Sequence, residues 1–326
     1  MSSGTSTTHQ IWSYVVFNSL FAVIISFNLS LLAGLWYYPA RTLVGFIIPY
    51  YTYTKVLAPS EFMATGARWK SFSKNFVLLR IMRKHLSLRF APPPKKLVEA
   101  EGKPDAQFLI AVFPHGVASD FRIAMDGMMH EVFPNVHDKV VVLTASVLFA
   151  IPLIRELALS TGCVDARKSV AEKAIGMRRS ILVLPGGEAE QIRTIYQRER
   201  VYLKRRKGFI KLALKHGIPV VPSYLFGVND YYYTSSILFQ PRLWLQKSMG
   251  ICIPMAVGLY GSIFCPFSVP TTVVYGEPLS FKVKDKTSPT SDELDVAHDQ
   301  FCTALKHLFD QHKKEYGYGE RELEIM

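Results

Sequence analysis

The pattern of hydrophobic and charged positions separates an uncharged start from the rest of the chain. Aspartate, glutamate, lysine and arginine are all absent before Arg41, and residues 11–38 form an apolar run long enough to cross a bilayer as a helix. A second apolar run, 42–58, follows a proline break. We predict that residues 1–10 are disordered and that residues 11–58 form a membrane-anchoring helical hairpin. One span followed by a helix buried in the protein is the alternative.

A basic stretch follows the two apolar runs. Residues 62–98 contain no acidic side chain, and their lysines and arginines are interleaved with aromatic and aliphatic residues. Such a pattern is typical of a segment that lies on an anionic lipid surface, although a surface helix with a solvated basic face would show it too. The proline run 92–94 then predicts a stiff break. We therefore interpret residues 59–104 as a basic interfacial segment and linker, and residues 105–326 as one domain.

Short apolar runs alternate with helical patterns in the remaining chain. This order predicts an α/β layered domain with a largely parallel sheet, in which functional residues lie in loops at strand ends. A capping box at 290–293 predicts the start of a last helix that covers the core. The five predicted strands are Phe108–Phe113, Val140–Thr144, Ser180–Leu184, Val220–Tyr224 and Thr271–Tyr275.

Amino-acid composition limits the kinds of partner and site that the chain is expected to have. The net charge of +12 is compatible with nucleic acid, anionic lipid or a polyanionic substrate, but the chain has no nucleic-acid-binding motif, so nucleic acid is not expected as a partner. The four cysteines form no CxxC pair and predict neither a disulfide framework nor a metal site. Residues 248–276 carry no charge but many glycines and prolines, which argues against a spanning helix and favours an irregular segment beside lipid.

One histidine stands out as candidate chemistry. His115 follows the strand 108–113 in a turn between Pro114 and Gly116, and Asp120 lies five residues further on. A histidine can act as a general base near neutral pH, and a carboxylate can orient its ring. The alternative is a solvated loop histidine followed by an aspartate at a helix start.

Two further motifs have the character of binding loops. Gly186 and Gly187 permit close approach of the backbone, and Glu188 and Glu190 follow them at a predicted helix start. The cationic run 204–207 precedes Gly208 and Phe209 in a second predicted helix, and lysine and arginine at such a position bind phosphates. The competing interpretation is that these cations pair with Glu188, Glu190 or Glu199 and stabilise the fold.

The chain resembles the type 2 diacylglycerol acyltransferase family, which includes monoacylglycerol and wax-alcohol acyltransferases. The resemblance extends over about residues 106–326, in the family's order. It is carried by Phe113–Gly116, Leu153–Glu156 with Gly162, Pro185–Gly187 with Glu190, Arg206–Leu214 with His216–Gly217, Val221–Tyr224 with Phe226–Gly227, and Thr271–Val274 with Gly276–Pro278.

The resemblance implies an acyltransferase of the endoplasmic reticulum membrane with a cytosol-facing site, with lipid droplets as a second location and a homo-oligomer allowed. The family's catalytic histidine falls on His115 and its glutamate on Glu190, whereas the first histidine of its motif is Phe113 here. Either Asp120 or Glu190 could orient His115. Acyl-CoA would be the co-substrate, with no cofactor, and the acceptor would be diacylglycerol, monoacylglycerol or a fatty alcohol. The expected substrate-contacting residues are Pro114, Gly116, Arg155, Gly186, Gly187, Arg206, Lys207, Gly208 and Phe209.

Overall fold

A computed structural model describes residues 6–250 and 252–326 of the chain. The described part contains a seven-stranded sheet, in the order β1-β10-β7-β2-β5-β3-β4, and two small two-stranded sheets. Strand β10 is antiparallel to β7, and the other pairs of the large sheet are parallel. The strands are β1 (Arg89–Phe90), β2 (Leu109–Phe113), β3 (Val140–Thr144), β4 (Cys163–Asp165), β5 (Ser180–Val183), β6 (Arg200–Val201), β7 (Val220–Phe226), β8 (Tyr233–Thr234), β9 (Ala256–Val257), β10 (Thr272–Tyr275) and β11 (Glu324–Ile325).

Helices flank the sheet and form the N-terminal part of the chain. The α-helices are α1 (Thr7–Tyr37), α2 (Pro39–Thr42), α3 (Ile48–Thr52), α4 (Lys70–Asn75), α5 (Val77–His85), α6 (Lys95–Glu101), α7 (Asp120–Asp126), α8 (Ile154–Ser160), α9 (Lys168–Gly176), α10 (Gly187–Gln191), α11 (Gly208–His216), α12 (Phe239–Met249) and α13 (Ser291–His312). Two π-helical segments, Leu43–Ile47 and Tyr53–Leu57, join and follow α3.

The central strand β2 shows why the sheet is buried on both faces. All five of its residues are buried, and successive side chains point to opposite faces. Ile110 and Val112 pack with α5 and α7, whereas Leu109, Ala111 and Phe113 pack with α9, α11 and α13. A continuous apolar strand, rather than an alternating one, is what such a position requires.

The predicted strands are confirmed as members of one mostly parallel sheet, with ends that differ by at most two residues. The prediction missed β4 and β1, which are too short to give a periodic signal. Within residues 59–104, predicted as a basic interfacial segment and linker, β1 forms an edge strand of the large sheet, and Leu79, Leu97 and Glu101 are buried.

The N-terminal region contains one helix long and apolar enough to cross a membrane, α1 with 31 residues, among the described residues. The chain then reverses direction. Two close approaches show this: Phe27 contacts Phe46, and a Cβ on Gly34 would touch Thr42. Of the stretch predicted as disordered, residues 1–5 lie outside the described residues. The rest is ordered, because Ser6 caps α1 and the helix begins at Thr7.

Candidate active site

Three loops meet at the carboxyl ends of neighbouring parallel strands. Strand β2 lies between β5 and β7, and the loops after them carry His115, Gly186 and Val228. Gly116 has a positive φ of 68°, and a Cβ there would lie 2.5 Å from the Val228 side chain. Only glycine meets both demands, so this position fixes how closely the histidine loop approaches the loop after β7.

His115 is partly exposed, and its ring is held by its own loop. The Nδ1 atom lies 3.1 Å from the Gly116 carbonyl oxygen, and the Ser119 hydroxyl lies 3.2 Å from each ring nitrogen. Because a carbonyl only accepts hydrogen bonds, this contact favours the tautomer with hydrogen on Nδ1, which leaves Nε2 as an acceptor within reach of the Ser119 hydroxyl. Burial lowers the pKa of His115, against the opposite effects of the Gly116 carbonyl and the Glu188 charge. The ring is therefore neutral near pH 7 and suited to act as a base.

Glu190 holds the backbone of the histidine loop. One carboxylate oxygen accepts the backbone N–H of His115, and the other accepts the N–H of Tyr202 at 2.7 Å. Gly186 makes room for this carboxylate, because a Cβ there would lie 2.2 Å from Oε2 of Glu190. Burial raises the pKa of Glu190 to about 7, although the two N–H donors and Arg206 act in the opposite direction.

Asp120 is turned towards a different partner. Ser119 precedes it in the left-handed conformation, with φ of 54°, and Asp120 then opens α7 with its carboxylate accepting the Tyr232 hydroxyl at 3.0 Å. Burial raises the pKa of Asp120 to about 6. Within residues 6–250 and 252–326, the hydrogen-bond partners of the His115 ring are Gly116 and Ser119. Neither Asp120 nor Glu190, which the sequence offered as orienting groups, is among these partners.

The cationic run 204–207 differs from its predicted form. Helix α11 begins at Gly208, so these cations precede the helix and do not form its first turn. Lys207 forms an ion pair with Asp295 of α13 at 2.6 Å. The structural alternative expected glutamate partners for these cations, and the partner of Lys207 is an aspartate further along the chain.

Arg206 lies beside the site and separately from Lys207. Its guanidinium is 5.4 Å from the centre of the Tyr202 ring and donates to the Gly186 carbonyl at 3.2 Å. Arg193 lies 4.9 Å from the centre of the same ring. The Nε atom of Arg206 is buried and has no hydrogen-bond partner in the described part of the chain. Two guanidinium groups therefore converge next to the loop that Glu190 stabilises.

Two predicted substrate residues have structural roles. Arg155 is buried and donates to Glu61 at 2.7 and 3.1 Å and to the Ala58 carbonyl at 3.1 Å. It thus ties the end of the second N-terminal helical run to α8. Phe209 is buried against Phe301, with ring centres 5.0 Å apart, and belongs to the core. Both side chains, expected from the sequence to contact substrate, are buried in the folded chain.

The remaining predicted residues shape the loops. Pro114 is buried after a cis peptide bond, and Gly187 has a positive φ of 52° with open space where a Cβ would stand. Gly208 is exposed at the first position of α11.

Sequence reasoning missed several members of the site. Ser119 lies within the predicted loop and could have been found as a hydroxyl four residues after the histidine. Tyr202, Tyr232 and Arg193 gave no local signal, because their roles depend on contacts across the fold. Glu188 was considered as a helix-start charge, and the structure adds its electrostatic effect on His115.

Comparison with known proteins gives a consistent family assignment. The sequence model of the family described as diacylglycerol acyltransferase matches residues 50–326. Bovine diacylglycerol O-acyltransferase 2 (Bos taurus) is 28% identical over 79% of this chain and 73% of its own length. Human (Homo sapiens) 2-acylglycerol O-acyltransferase 3 is 30% identical, covering 77% and 76%, and human diacylglycerol O-acyltransferase 2-like protein 6 is 31% identical, covering 79% of each. No solved structure matches the chain.

Proposed function

The chain belongs to the diacylglycerol acyltransferase family, and on that premise we propose that it transfers an acyl group from acyl-CoA to the free hydroxyl of diacylglycerol. Membership makes the chain an acyl-CoA O-acyltransferase, and diacylglycerol as acceptor is the finer part of the proposal. The observation that carries it is the partly exposed His115 at the carboxyl end of the central strand β2, whose ring is held in the tautomer that leaves Nε2 unprotonated.

The proposed reaction begins with proton transfer from the acceptor hydroxyl to Nε2 of His115. The oxygen attacks the thioester carbonyl carbon, a C–O bond forms, and the C–S bond breaks. The proton then passes from the imidazolium to the departing CoA thiolate, which restores the neutral base. The thioester supplies the leaving group, so we propose that no cofactor takes part. The Gly116 carbonyl keeps the ring in the reactive tautomer, and Glu190 positions the backbone of His115.

We propose that Arg206, together with Arg193, contacts the phosphates of CoA. Arg206 has a buried guanidinium nitrogen without a partner in residues 6–250 and 252–326, and both arginines lie against the Tyr202 ring. Arginine binds phosphate in a bidentate manner, which suits a polyphosphate ligand. Lys207 is a weaker candidate, because Asp295 already pairs with it.

Monoacylglycerol is the second candidate acceptor. The observation in its favour is the 30% identity to a human protein named as a 2-acylglycerol acyltransferase, which is as high as the similarity to the diacylglycerol enzymes named above. A fatty alcohol would use the same base and thioester. A lysophospholipid acyltransferase and a non-catalytic lipid-surface protein are further alternatives from the sequence.

The chain is membrane-associated, as its family and the apolar helix α1 indicate. We propose residence in the endoplasmic reticulum, with the domain facing the cytosol and residues 11–58 as a hairpin. The reversal of the chain after α1 supports the hairpin. We also propose that the domain has the layered fold of glycerolipid acyltransferases, which its parallel sheet with apolar layers on both faces supports.

An acceptor panel tests the proposal. Membranes containing the full chain are incubated with labelled oleoyl-CoA and diacylglycerol, monoacylglycerol, a fatty alcohol or a lysophospholipid, and products are separated by thin-layer chromatography. We expect labelled triacylglycerol as the main product with diacylglycerol. A product from another acceptor alone would replace the acceptor in the proposal, and no product from any would contradict acyl transfer. Membranes with His115→Ala serve as the control for endogenous enzymes.

A further inference from the structure

The apolar segment, our name for residues 237–250 and 252–263, exposes an unusual amount of apolar surface. The large hydrophobic side chains exposed along it are Ile237, Leu238, Trp244, Met249, Ile253, Met255, Val257, Tyr260 and Ile263. From residue 248 to residue 276 the sequence contains no charged side chain. Apolar surface of this extent marks an interaction site, and it needs an occupant other than water.

Direct contacts join the end of the apolar segment to the helix that is long enough to cross a membrane. The Tyr260 ring packs edge-to-face on Tyr14 of α1, with centres 5.6 Å apart. The Ser262 hydroxyl donates to the Asn18 side chain at 2.8 Å. Just beyond the segment, Phe264 stacks on Phe21 at 4.5 Å. The exposed side chains of Tyr260 and Ile263 therefore lie directly beside α1.

A buried arginine keeps the apolar segment folded. The Arg242 guanidinium is 6% exposed and donates to the backbone carbonyls of Ser235, Ile237 and Ile253, at 2.9, 3.0 and 3.3 Å. Irregular backbone is tolerated next to lipid only when protein groups satisfy its polar atoms. Arg242 supplies these hydrogen bonds from inside, so that the exposed apolar side chains are held on a segment whose backbone carbonyls are bonded.

We propose that the apolar segment is a second membrane contact, which lies in the bilayer interface beside α1. Lipid is the occupant that the structure favours, because the end of the apolar segment packs against α1, the helix that is long and apolar enough to cross a bilayer. The membrane contact itself does not depend on the acceptor or on the reaction.

Tryptophan fluorescence in vesicles tests the contact directly. The full chain carries four tryptophans, all exposed, so Trp12→Phe, Trp36→Phe and Trp69→Phe together leave Trp244 as the reporter. The protein is reconstituted in phosphatidylcholine vesicles whose acyl chains carry bromine at a shallow or a deep position. Interfacial segments enter the bilayer by about 5–10 Å, so we expect loss of fluorescence, with shallow bromines quenching more than deep ones.

A matched control places the reporter elsewhere. In the same background, Trp244→Phe with Val296→Trp moves the only tryptophan to α13, at a position that is 57% exposed, against 64% for Trp244. We expect little quenching there. Equal quenching at the two positions, or none at Trp244, would overturn the proposal. Protection of Trp244 from both bromolipid and aqueous iodide would also overturn it, because a second copy of the chain would then cover the segment.

Discussion

The site at the carboxyl ends of the central strands and the apolar segment differ in which kind of group they bury and which they expose. At the site the buried groups are polar: Glu190 is 1% exposed and Asp120 is 6% exposed, and each carboxylate has hydrogen-bond donors from the protein. In the apolar segment the exposed groups are apolar, and Trp244 is 64% exposed. The first region keeps water from a set of fixed polar contacts. The second has a surface that water solvates poorly.

This difference separates side chains that hold the histidine loop in place from the side chain that we propose takes part in the reaction. Buried polar groups cost free energy unless they are bonded, so a saturated carboxylate such as Glu190 is a supporting group. His115 differs from the two carboxylates, because its ring is partly exposed and, in residues 6–250 and 252–326, contacts only the Gly116 carbonyl and the Ser119 hydroxyl of its own loop. We propose that this exposed ring is the reacting group.

Removing that group should have the largest effect. We expect His115→Ala to lower acyl transfer by about two to four orders of magnitude, the usual contribution of a general base. The protein should stay in the membrane fraction with an unchanged melting temperature, because the ring makes only local contacts. His312→Ala, far along α13, is the control and should be active. Substantial activity in His115→Ala would exclude this residue as the base.

Removing the support of the histidine loop should affect folding and activity together. Glu190→Ala leaves the N–H groups of His115 and Tyr202 without acceptors, at a cost of about 1–3 kcal/mol for each buried donor. Glu190→Gln keeps one acceptor oxygen, so we expect a smaller loss of melting temperature. Activity should follow the same order. If Glu190→Ala were inactive but as stable as wild type, Glu190 would have a chemical role and the contrast with His115 would fail.

The sequence was sufficient to predict the sheet and to place His115 in a turn at the end of a buried strand, because both depend on local patterns. A buried strand such as 109–113 is a continuous apolar run, and a turn with proline and glycine follows it directly. The partners within the site were not predictable in the same way. Glu190 lies 75 residues from His115 in the sequence, and Tyr232, the partner of Asp120, lies 112 residues from it.

The same limit applies to Arg155, which the sequence offered as a substrate-contacting residue. Arg155 is charged and lies in a motif, and both facts suggested a ligand. Its partner Glu61 lies 94 residues away, and only the packed structure shows that the pair is buried. Charge alone does not distinguish a ligand-binding arginine from one that holds two elements together.

The cationic run 204–207 allows two neighbouring residues, Arg206 and Lys207, to be compared for their effect on acyl-CoA binding. We expect Arg206→Ala to raise the Michaelis constant for acyl-CoA more than that for diacylglycerol, and the effect should shrink at high salt because screening weakens the same contacts. Lys207→Ala is the matched control, and its exposed ion pair with Asp295 contributes about 0–1 kcal/mol. Equal acyl-CoA constants for Arg206→Ala and wild type, with a lower melting temperature, would assign Arg206 to the fold.

The smallest expected effect is on how stability depends on pH. The folded chain raises the pKa of Glu190 from 4.5 to about 7 and that of Asp120 from 3.8 to about 6. When an acid binds its proton more tightly in the folded state, the folded protein loses stability as pH rises from the ordinary pKa of that acid to the raised one.

Glu190→Gln and Asp120→Asn have no such proton to lose. Relative to wild type, the melting temperature of Glu190→Gln should therefore increase between pH 4.5 and about 7. That of Asp120→Asn should increase between pH 3.8 and about 6 and then level off. Thermal unfolding of the three proteins in one detergent across this range separates the two windows, and curves parallel to wild type would mean that neither carboxyl holds its proton in the folded chain.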